Sequence, residues 1–411
     1  MPFSPFVRVL SASVLLFAVA TLASAQTPSP PQTLTLDAAL ERALSLNPTV
    51  TAARERRNIA LRELDVARER LNPEARVEIE RETPTEAYSF SLPWETGGKR
   101  GRRIDVADAA IRTADAELAQ VVAEVRTSVR RAYYGRIIAE SRLVLLRELQ
   151  DLTARARDAA QQRFDAGSAP RLEVLQADLA RAEAENQAAG AVGEAAAARA
   201  QLNALVALPP DAAPALSASL DAALPTPADA AVVQARSASV ELALLDRRLD
   251  EQRARIELAR SLQRPDITPE ATITHGNEPE FNLGWRAAVA VQVPIFTRHR
   301  AGVLLEEATL AQVTAERNAA LARIRGEVTA AAVVADAQRQ QFLRYRDQII
   351  PQALEVERMA EDSYKLGQTG ITAYLQALQA SRDVRVRSLQ AAADFQTALS
   401  DLERAIGAPL P

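Results

Sequence analysis

The chain has 411 residues, a formal net charge of −4, no cysteine and only two histidines. So small a charge gives no electrostatic reason to bind a polyanion, and we expect no nucleic-acid partner. The lack of cysteine excludes disulfides, thiol catalysis, cysteine-ligated metals and a lipidated N-terminal cysteine. Hydrophobic residues make up 48% of the chain and aromatic residues only 4%, which is typical of alanine-rich helical packing.

The first 25 residues have the pattern of a secretory signal peptide. Arg8 precedes an apolar run from Val9 to Ala20, and Ala23-Ser24-Ala25 offers small residues to signal peptidase. The run is shorter than the roughly 20 apolar residues of a spanning helix. We therefore predict a signal peptide at 1–25, an exported mature chain that begins near Gln26, and a periplasmic or outer-membrane location.

The first half of the mature chain, residues 26–206, predicts a hairpin of β-strands between helices. We expect helices at 34–46 and 48–71, a β-hairpin at about 75–94, a long helix at about 101–164 and its return helix at about 171–205. The long segment contains no proline, and an apolar residue recurs every seven positions from Ile104 to Leu146. Such a repeat predicts a coiled coil, and the helix would be roughly 96 Å long.

The second half, residues 228–411, repeats this order after a Pro- and Ala-rich connector at 207–227. We expect helix at 228–264, a second β-hairpin at about 267–296, a second long helix at about 298–364 and its return helix at about 371–406. Gly167 and Gly367, 200 positions apart, fall in matching turns between the long helices. The sequence therefore predicts a tandem duplication.

The last strand of the second hairpin alternates most clearly. Leu283, Trp285, Val289 and Val291 fall on one side, and polar or small residues fall on the other. This alternation is typical of a transmembrane β-barrel strand, although a half-buried strand of a soluble protein has the same period. Four strands cannot close a barrel, because open edges leave backbone groups unpaired in lipid. Three copies of the chain would supply twelve strands.

Together these features resemble the TolC family of outer-membrane efflux proteins, over essentially the whole mature chain. The segments LPWETGGKRGRR (92–103) and PIFTRHRAG (294–302) are similar to the strand-to-helix junctions of the CzcC-like heavy-metal efflux branch. The resemblance implies a mainly α fold with a small β part. It implies duplicated antiparallel coiled-coil hairpins and two β-hairpins, which trimerise into a 12-stranded transmembrane β-barrel and a periplasmic α-barrel.

The resemblance also implies a function without catalysis, cofactor or resident metal. The homotrimer would be the exit duct of a tripartite efflux system in the outer membrane. It would conduct heavy-metal cations from a proton-driven inner-membrane pump of the resistance-nodulation-division type, with a periplasmic adaptor (membrane fusion protein) as a further partner. Outer-membrane lipid would surround the barrel.

Other functions stay open at this point. A duct for drug efflux or type I secretion would have the same sequence pattern. A periplasmic coiled-coil adaptor or scaffold is a second alternative, although such adaptors normally carry one helical hairpin between Gly-rich β domains. An enzyme fits least, because the sequence shows no nucleophile–base set, metal cluster or phosphate-binding loop.

The two turns, with Gly167, Ser168, Gly367, Gln368 and Thr369, are candidate docking sites for the adaptor. A reversal between long helices favours glycine for its positive φ, and this alone is one explanation of the motif. The resemblance implies that the turns also line the periplasmic mouth and bind the tips of the adaptor.

Residues that follow the turns are candidates for a constriction of the tunnel mouth. In the family, aspartates after the second turn form an acidic ring, and the matching positions here are Ala373 and Gln376. Glu173 in the first repeat is the candidate for a carboxylate ring, and a solvated residue of the first helical turn is the alternative. Leu172, Leu175 and Leu375 are expected to pack beneath the turns.

Pro351 interrupts the second long helix and predicts a bend at about 349–352. Its counterpart in the first repeat is Asp151. The bend would wrap the tunnel or let this coiled coil swing outward.

Aromatic and basic residues near the hairpins are candidates for the membrane interface. Trp94 and Trp285 fit an interfacial aromatic girdle. Lys99 and Arg100 follow the first hairpin and are expected to meet lipid phosphates, or else to cap the helix start. The two histidines, His275 and His299, lack ligand spacing and are expected at the surface.

Overall fold

The computed structural model describes residues 33–217, 219–220, 228–277 and 281–408. Within these ranges the protein is a set of long helices with one four-stranded antiparallel sheet in the order β1-β2-β3-β4. The predicted signal peptide and residues 221–227 of the predicted connector lie outside the described ranges. None of the helices within them combines the length and apolar character that a membrane span requires.

The first repeat follows the predicted order. Its elements are α1 (Leu36–Leu46), α2 (Pro48–Arg68), β1 (Glu74–Ile79), β2 (Glu86–Ser91), α3 (Lys99–Asp165) and α4 (Arg171–Leu205). Asn47 ends α1 and caps α2, because its side chain accepts a hydrogen bond from the Thr49 amide and a proline follows it. Helix α3 has 67 residues, which corresponds to about 100 Å.

The second repeat has the same elements, with one interruption in its long helix. They are α5 (Ala228–Ala238), α6 (Val240–Ser261), β3 (Ile267–Asn277), β4 (Phe281–Val291), α7 (Arg300–Arg344), a π-helical turn (Tyr345–Ile349), α8 (Ile350–Lys365) and α9 (Ile371–Ile406). The segment 228–264, expected to be helical, is divided into two helices at Ser239. Ser239 is extended and accepts a hydrogen bond from the Leu242 amide, so it caps a new helix as Asn47 does in the first repeat.

The π-helical turn at Tyr345–Ile349 ends two positions before Pro351 and reaches the predicted bend. Pro351 lies in the first turn of α8, which continues the helical backbone of the π turn. Because proline has no N–H, this stretch lacks one backbone hydrogen bond. The first repeat has no such interruption, since α3 is α-helical throughout.

Equivalent buried positions in the two repeats show that the π turn accommodates one additional residue. Before it, Val125 and Val129 of α3 correspond to Ile324 and Val328 of α7, at a spacing of 199 positions, and all four are buried. After it, the turn glycines are 200 positions apart. A π turn holds one residue more than an α turn. From these buried positions to the turn, the second repeat is therefore one residue longer than the first, and the π turn accommodates that residue.

Small side chains allow the helices to pack closely. In the first repeat, Ala39 and Ala43 of α1 pack with Val129 and Tyr133 of α3 and Leu202 of α4. A similar cluster joins α5, α6, α7 and α9 in the second repeat. A third cluster lies next to the helical turns and contains residues of both repeats, so the two helical hairpins are joined at that end.

The described part of the connector lies against the first repeat. The Leu34 amide donates to the Ala215 carbonyl over 2.8 Å. The Tyr133 hydroxyl lies 2.7 Å from the Leu34 carbonyl and 3.1 Å from that of Ser217, and Arg136 donates to the Pro214 carbonyl over 2.8 Å. This segment is therefore held by α3 and forms no domain of its own.

Candidate functional site

One face of the sheet is apolar over most of its area, and the polar residues Glu86 and His275 lie on it only at the end remote from the helices. Residues directly opposite each other in an antiparallel pair share a face, and the register places Val77 opposite Tyr88, Tyr88 opposite Ile273, and Ile273 opposite Trp285. The exposed members of this face are Val77, Ile79, Tyr88, Phe90, Ile267, Ile273, Leu283, Trp285, Val289 and Val291. Monomeric soluble proteins rarely expose an apolar patch of this extent.

The opposite face is polar. Arg76 pairs with Glu74 over 3.0 Å and with Glu78 over 3.7 Å. Ser89 and Thr272 share a hydrogen bond of 3.0 Å across β2 and β3. Strands that are apolar on one side and polar on the other fit a surface that separates lipid from water.

Trp94 and Trp285 lie near the two ends of the apolar face. Trp94 pairs with Ile267, next to the helices, whereas Trp285 pairs with Ile273. Ile267 and Ile273 are six positions apart on β3, which corresponds to about 20 Å along the strand. Both indoles are exposed, at 67% and 83%. Their spacing is close to the height of the apolar band of an outer-membrane barrel, about 25 Å.

The structure corrects the expectation that Lys99 faces lipid. Only 7% of Lys99 is exposed, and its ammonium pairs with the Asp266 carboxylate over 2.7 Å. Arg100 is half-buried, and its guanidinium donates to the Arg68 carbonyl over 2.9 Å. The physical reason is that a buried ammonium requires a counter-ion. Lys99 and Arg100 thus hold the start of α3 against neighbouring segments. This agrees with the alternative expectation, in which they stabilise the helix start and do not contact lipid.

The two helical turns have the same backbone geometry. Gly167 and Gly367 both have φ of +72°, a conformation that favours glycine. The Ser168 amide donates to the Arg163 carbonyl over 2.8 Å, and the Gln368 amide donates to the Ser363 carbonyl over 2.9 Å. Each turn thus satisfies the last carbonyls of its long helix in the manner of a Schellman motif.

The other residues of the turns differ in exposure. Ser168 and Gln368 are exposed. Thr369 is half-buried, and its hydroxyl oxygen is buried without a hydrogen-bond partner among the described residues. The two turns therefore present similar backbone but different side-chain surfaces.

Glu173 lies between the two repeats. Its Oε2 is 3.5 Å from the Tyr364 hydroxyl of the second repeat. Arg163 of the first repeat lies over the Tyr364 ring at 4.8 Å, and Thr372 donates to the Gln176 side chain over 3.1 Å. Gln376, the other predicted constriction residue, is exposed on α9. The structure thus gives Glu173, but not Gln376, contacts across the repeats.

A pair of stacked tyrosines lies beneath these contacts. The rings of Tyr364 and Tyr374 are 5.6 Å apart and nearly parallel. Burial, together with the nearby Glu173 carboxylate, raises the pKa of Tyr364. Burial raises the pKa of Tyr374 to about 12. Neither tyrosine was expected at this site from the sequence, although Tyr364 replaces Phe164 at the matching position and thereby adds a hydroxyl.

The leucines beside the turns do not behave alike. Leu375 is buried, as expected, but Leu172 and Leu175 are 61% and 55% exposed. The expectation that these two pack beneath the first turn is wrong, because α4 directs Val174 and Ala177 toward the shared cluster instead. The first repeat therefore carries an exposed apolar stripe near its turn.

Neither histidine belongs to a cluster of metal ligands. In the described ranges, three or more His, Asp or Glu side chains do not come together in a way that could hold a metal ion. His299 is exposed and immediately precedes α7. His275 is exposed on β3, opposite Glu86.

Comparison with known proteins agrees with this arrangement. Residues 39–208 match the sequence profile of the family described as Outer membrane efflux protein. The cobalt-zinc-cadmium resistance protein CzcC of Cupriavidus metallidurans is 28% identical over 270 residues, which cover 65% of this chain. The matched segment spans 64% of the length of that relative.

Solved structures extend the likeness to both repeats. The outer-membrane channel OprN superposes with a TM-score of 0.76 at 18% identity, covering 91% of this chain and 90% of that channel. The open state of the MtrE outer membrane channel of Neisseria gonorrhoeae superposes with a TM-score of 0.73 at 18% identity, covering 91% and 89%. These proteins are channels rather than enzymes. The predicted resemblance is confirmed: the profile match, the relative and the fold are all similar to outer membrane efflux proteins of the TolC family.

Proposed function

We propose that this chain is the exit duct of a tripartite efflux system, exported and assembled as a homotrimer in the outer membrane. The observation that supports this best is the sheet. One face is apolar except for Glu86 and His275 at its far end, and the opposite face is charged and hydroxylated. In a periplasmic scaffold the apolar face of this sheet would stay exposed to water, which is unfavourable.

The two edges of the sheet support assembly from several copies. β1 and β4 each pair with a single strand of the sheet. In lipid, their free backbone groups need partners, and these can come from other copies of the chain. Three copies of a four-stranded unit give twelve strands, enough for a water-filled lumen.

The helices support a tunnel that continues the barrel through the periplasm. α3 alone corresponds to about 100 Å, and α4 returns along it from the turn at Gly167. Six helical hairpins in a trimer would form the wall, with all turns at the far end. The family relationship supports a periplasmic adaptor (membrane fusion protein) at these turns and a resistance-nodulation-division pump beyond it.

The contacts between Glu173 and Tyr364 and between Gln176 and Thr372 support a role in keeping the mouth closed. They join the first and second helical hairpins at the end where the tunnel would open. Loss of these contacts would let the hairpins separate. Each contact is polar and half-exposed, so its strength is modest and the closed state can be reversed by a docking partner.

The proposed substrates are heavy-metal cations. Support comes from the relative described as a cobalt-zinc-cadmium resistance protein. A passive duct does not need a tight site for its cargo, because tight binding slows release. Drug efflux and type I secretion are the alternatives within the same architecture.

The location is tested by fractionating cells that express the full chain. We expect the protein in the outer-membrane fraction and, after detergent extraction, a native mass of three chains. Recovery as a monomer in the soluble periplasmic fraction would contradict the duct and favour the scaffold.

The substrate is tested by deleting the gene and comparing growth in cobalt, zinc, cadmium and a panel of organic drugs. We expect lower tolerance to one or more of the metals and unchanged tolerance to the drugs. Greater sensitivity to drugs alone would replace the metal assignment with drug efflux and leave the duct in place.

A further inference from the structure

The duplication gives the chain two equivalent strand-to-helix junctions, residues 92–101 and 293–302. Pro93 and Thr96 of the first correspond to Pro294 and Thr297 of the second. The residue before each long helix, Gly98 or His299, has a left-handed backbone with φ of +74° or +53°. Lys99 and Arg300 are therefore the equivalent first residues of α3 and α7.

The first junction is docked on the start of β3 in the same chain. Trp94 and Ile267 exchange two backbone hydrogen bonds of 2.8 and 3.2 Å. The Thr96 amide donates to the Asp266 carboxylate over 3.0 Å, and Lys99 pairs with the same carboxylate over 2.7 Å. One acidic residue at the start of a hairpin thus binds both the threonine and the basic residue of the junction.

The acceptor segment also occurs twice. Pro265-Asp266-Ile267, at the start of β3, corresponds to Pro73-Glu74-Ala75, at the start of β1. Ile267 and Ala75 both lie on the apolar face of the sheet. Asp266 and Glu74, one position earlier, therefore point to the other side, and both carry a carboxylate.

The second junction does not use the second acceptor in its own chain. β2 and β3 separate β1 from β4. Thr297 and Arg300 are exposed, and neither forms an ion pair or side-chain hydrogen bond with the described residues. Ile295 and Phe296 are 61% and 99% exposed.

The side chains around the second junction fit an apolar partner surface. Glu95 of the first junction pairs with Arg103 of α3 over 3.0 Å. The equivalent positions in the second repeat are Phe296 and Leu304, both exposed. A charged pair in one junction is thus replaced by two apolar side chains in the other.

We propose that the second junction of each copy docks on the start of β1 in a second copy, in the register that the first junction uses within the chain. Ile295 then pairs with Ala75 of the partner subunit, and Val293 with Val77 of the partner subunit. Arg300 and Thr297 bind the carboxylate of Glu74 of the partner subunit. This inference depends on the proposed assembly and adds its register and its ion pair.

The register predicts a specific cross-link in a chain that has no native cysteine. Trp94 and Ile267 form a hydrogen-bonded pair, and such pairs have Cα atoms about 5.5 Å apart, within the range of a disulfide. An Ala75→Cys/Ile295→Cys variant should therefore form a disulfide between copies. Within one chain the two positions lie on opposite edges of the sheet, separated by three strand spacings of about 14 Å in total and by a further eight residues along the strand, so an intrachain bond is excluded.

The experiment uses the full chain in isolated outer membranes, oxidised and then run on non-reducing gels. We expect covalent dimers and trimers from the double variant and monomers from Ala75→Cys or Ile295→Cys alone. The matched control is Ala75→Cys/Val293→Cys, which is two residues out of register and should cross-link at least tenfold less. Equal cross-linking of both pairs, or stronger cross-linking of the control, would overturn the proposed register.

Charge reversal tests the ion pair separately. Glu74→Arg or Arg300→Glu alone should lower the fraction of trimer that survives in detergent, and the double reversal should restore it. Unchanged trimer in both single variants would overturn the ion pair. If the double-cysteine variant has a native mass of three chains but does not cross-link, the proposed register is wrong and the trimer stands. If the chain stays monomeric in detergent, the proposed assembly is wrong as well.

Discussion

At the scale of single residues, the two turn glycines are required by backbone conformation. A Cβ at Gly167 or Gly367 would meet nothing within 4 Å, so only the positive φ opposes a side chain. We predict that Gly167→Ala and Gly367→Ala each lower the free energy of unfolding by about 1 kcal/mol. Thermal unfolding followed by far-UV circular dichroism measures the effect.

Gly190 is the control for these variants. It lies within α4, also with nothing within 4 Å, and alanine is about 0.5–1 kcal/mol more favourable than glycine inside a helix. Gly190→Ala should therefore leave stability unchanged or raise it. A loss as large as that of the turn variants would show that the positive φ is not the cause.

The buried phenol of Tyr374 predicts a loss of stability in alkaline solution. Burial raises its pKa from 10.0 to about 12, so the folded state holds the proton more tightly than the unfolded state. The resulting stabilisation is fully present below pH 10 and is lost as the pH rises toward 12. Tyr374→Phe should lose less stability than the unaltered protein between these pH values, as measured by urea unfolding at each pH. Parallel pH curves for the two proteins would contradict this.

Some of these residue environments could be predicted from the sequence, and others could not. The positive φ of both turn glycines follows from a reversal between long helices, and the structure has it at both turns. The environment of Lys99 does not follow, because its partner Asp266 lies 167 positions away and a basic cluster looks the same whether it meets lipid or a carboxylate. Glu173 could be picked out as the carboxylate next to the turn, but its neighbour Tyr364 could not, since packing between the repeats decides that contact.

At the scale of elements, the π-helical turn predicts an unusual tolerance to deletion. Because Tyr345–Ile349 holds one inserted residue, deletion of Gln348 should convert α7, the turn and α8 into one regular helix. The buried faces on both sides would keep their orientation. We expect the variant to fold and trimerise with a melting temperature equal to or above that of the unaltered protein.

The control is a deletion in the corresponding stretch of the first repeat, that of Arg147, an exposed residue of α3. No π turn exists there to absorb the change, so every later residue of α3 would rotate by about 100° relative to its neighbours. This variant should lose the trimer. Similar losses in both deletions would show that the π turn is not a relaxed insertion.

The order of elements was predictable from the sequence because long apolar periodicity and proline are strong signals. The break at Ser239 was not, since apolar residues continue on both sides of it and only the capping hydrogen bond separates the two helices. The π turn left a weak trace in the sequence, namely the change of spacing from 199 to 200 between the repeats. This change of spacing can be recognised only when the equivalent buried positions of the two repeats are known.

At the scale of the whole molecule, the two faces of the sheet predict opposite responses to the same substitution. Ala287 lies on the apolar face opposite Ala271, and Ala288 lies on the polar face opposite Glu270. In a barrel, Ala287→Arg would place a cation in lipid at a cost of about 2–4 kcal/mol. We expect it to reduce the amount of trimer in the outer membrane, measured by quantitative blotting.

Ala288→Arg is the matched control, because the same side chain would face the lumen and Glu270. We expect a trimer level close to that of the unaltered chain. If both variants reached the membrane equally, the apolar face would not be the lipid-facing one. Alternation along β4 was visible in the sequence, but the common apolar face of all four strands depends on the pairing of β2 with β3, which the sequence does not specify.

That pairing has a consequence for the order of folding. The hydrogen bond between Ser89 and Thr272 joins residues 183 positions apart, and every helix from α3 to α6 lies between them. In the export proposed above, the first hairpin would emerge from the export machinery long before its neighbour, and contacts so distant in sequence form slowly. During this interval its apolar side chains are exposed to water. We expect the chain to depend on periplasmic chaperones that bind unfolded β-strands, and the helices to be complete before the sheet enters the membrane.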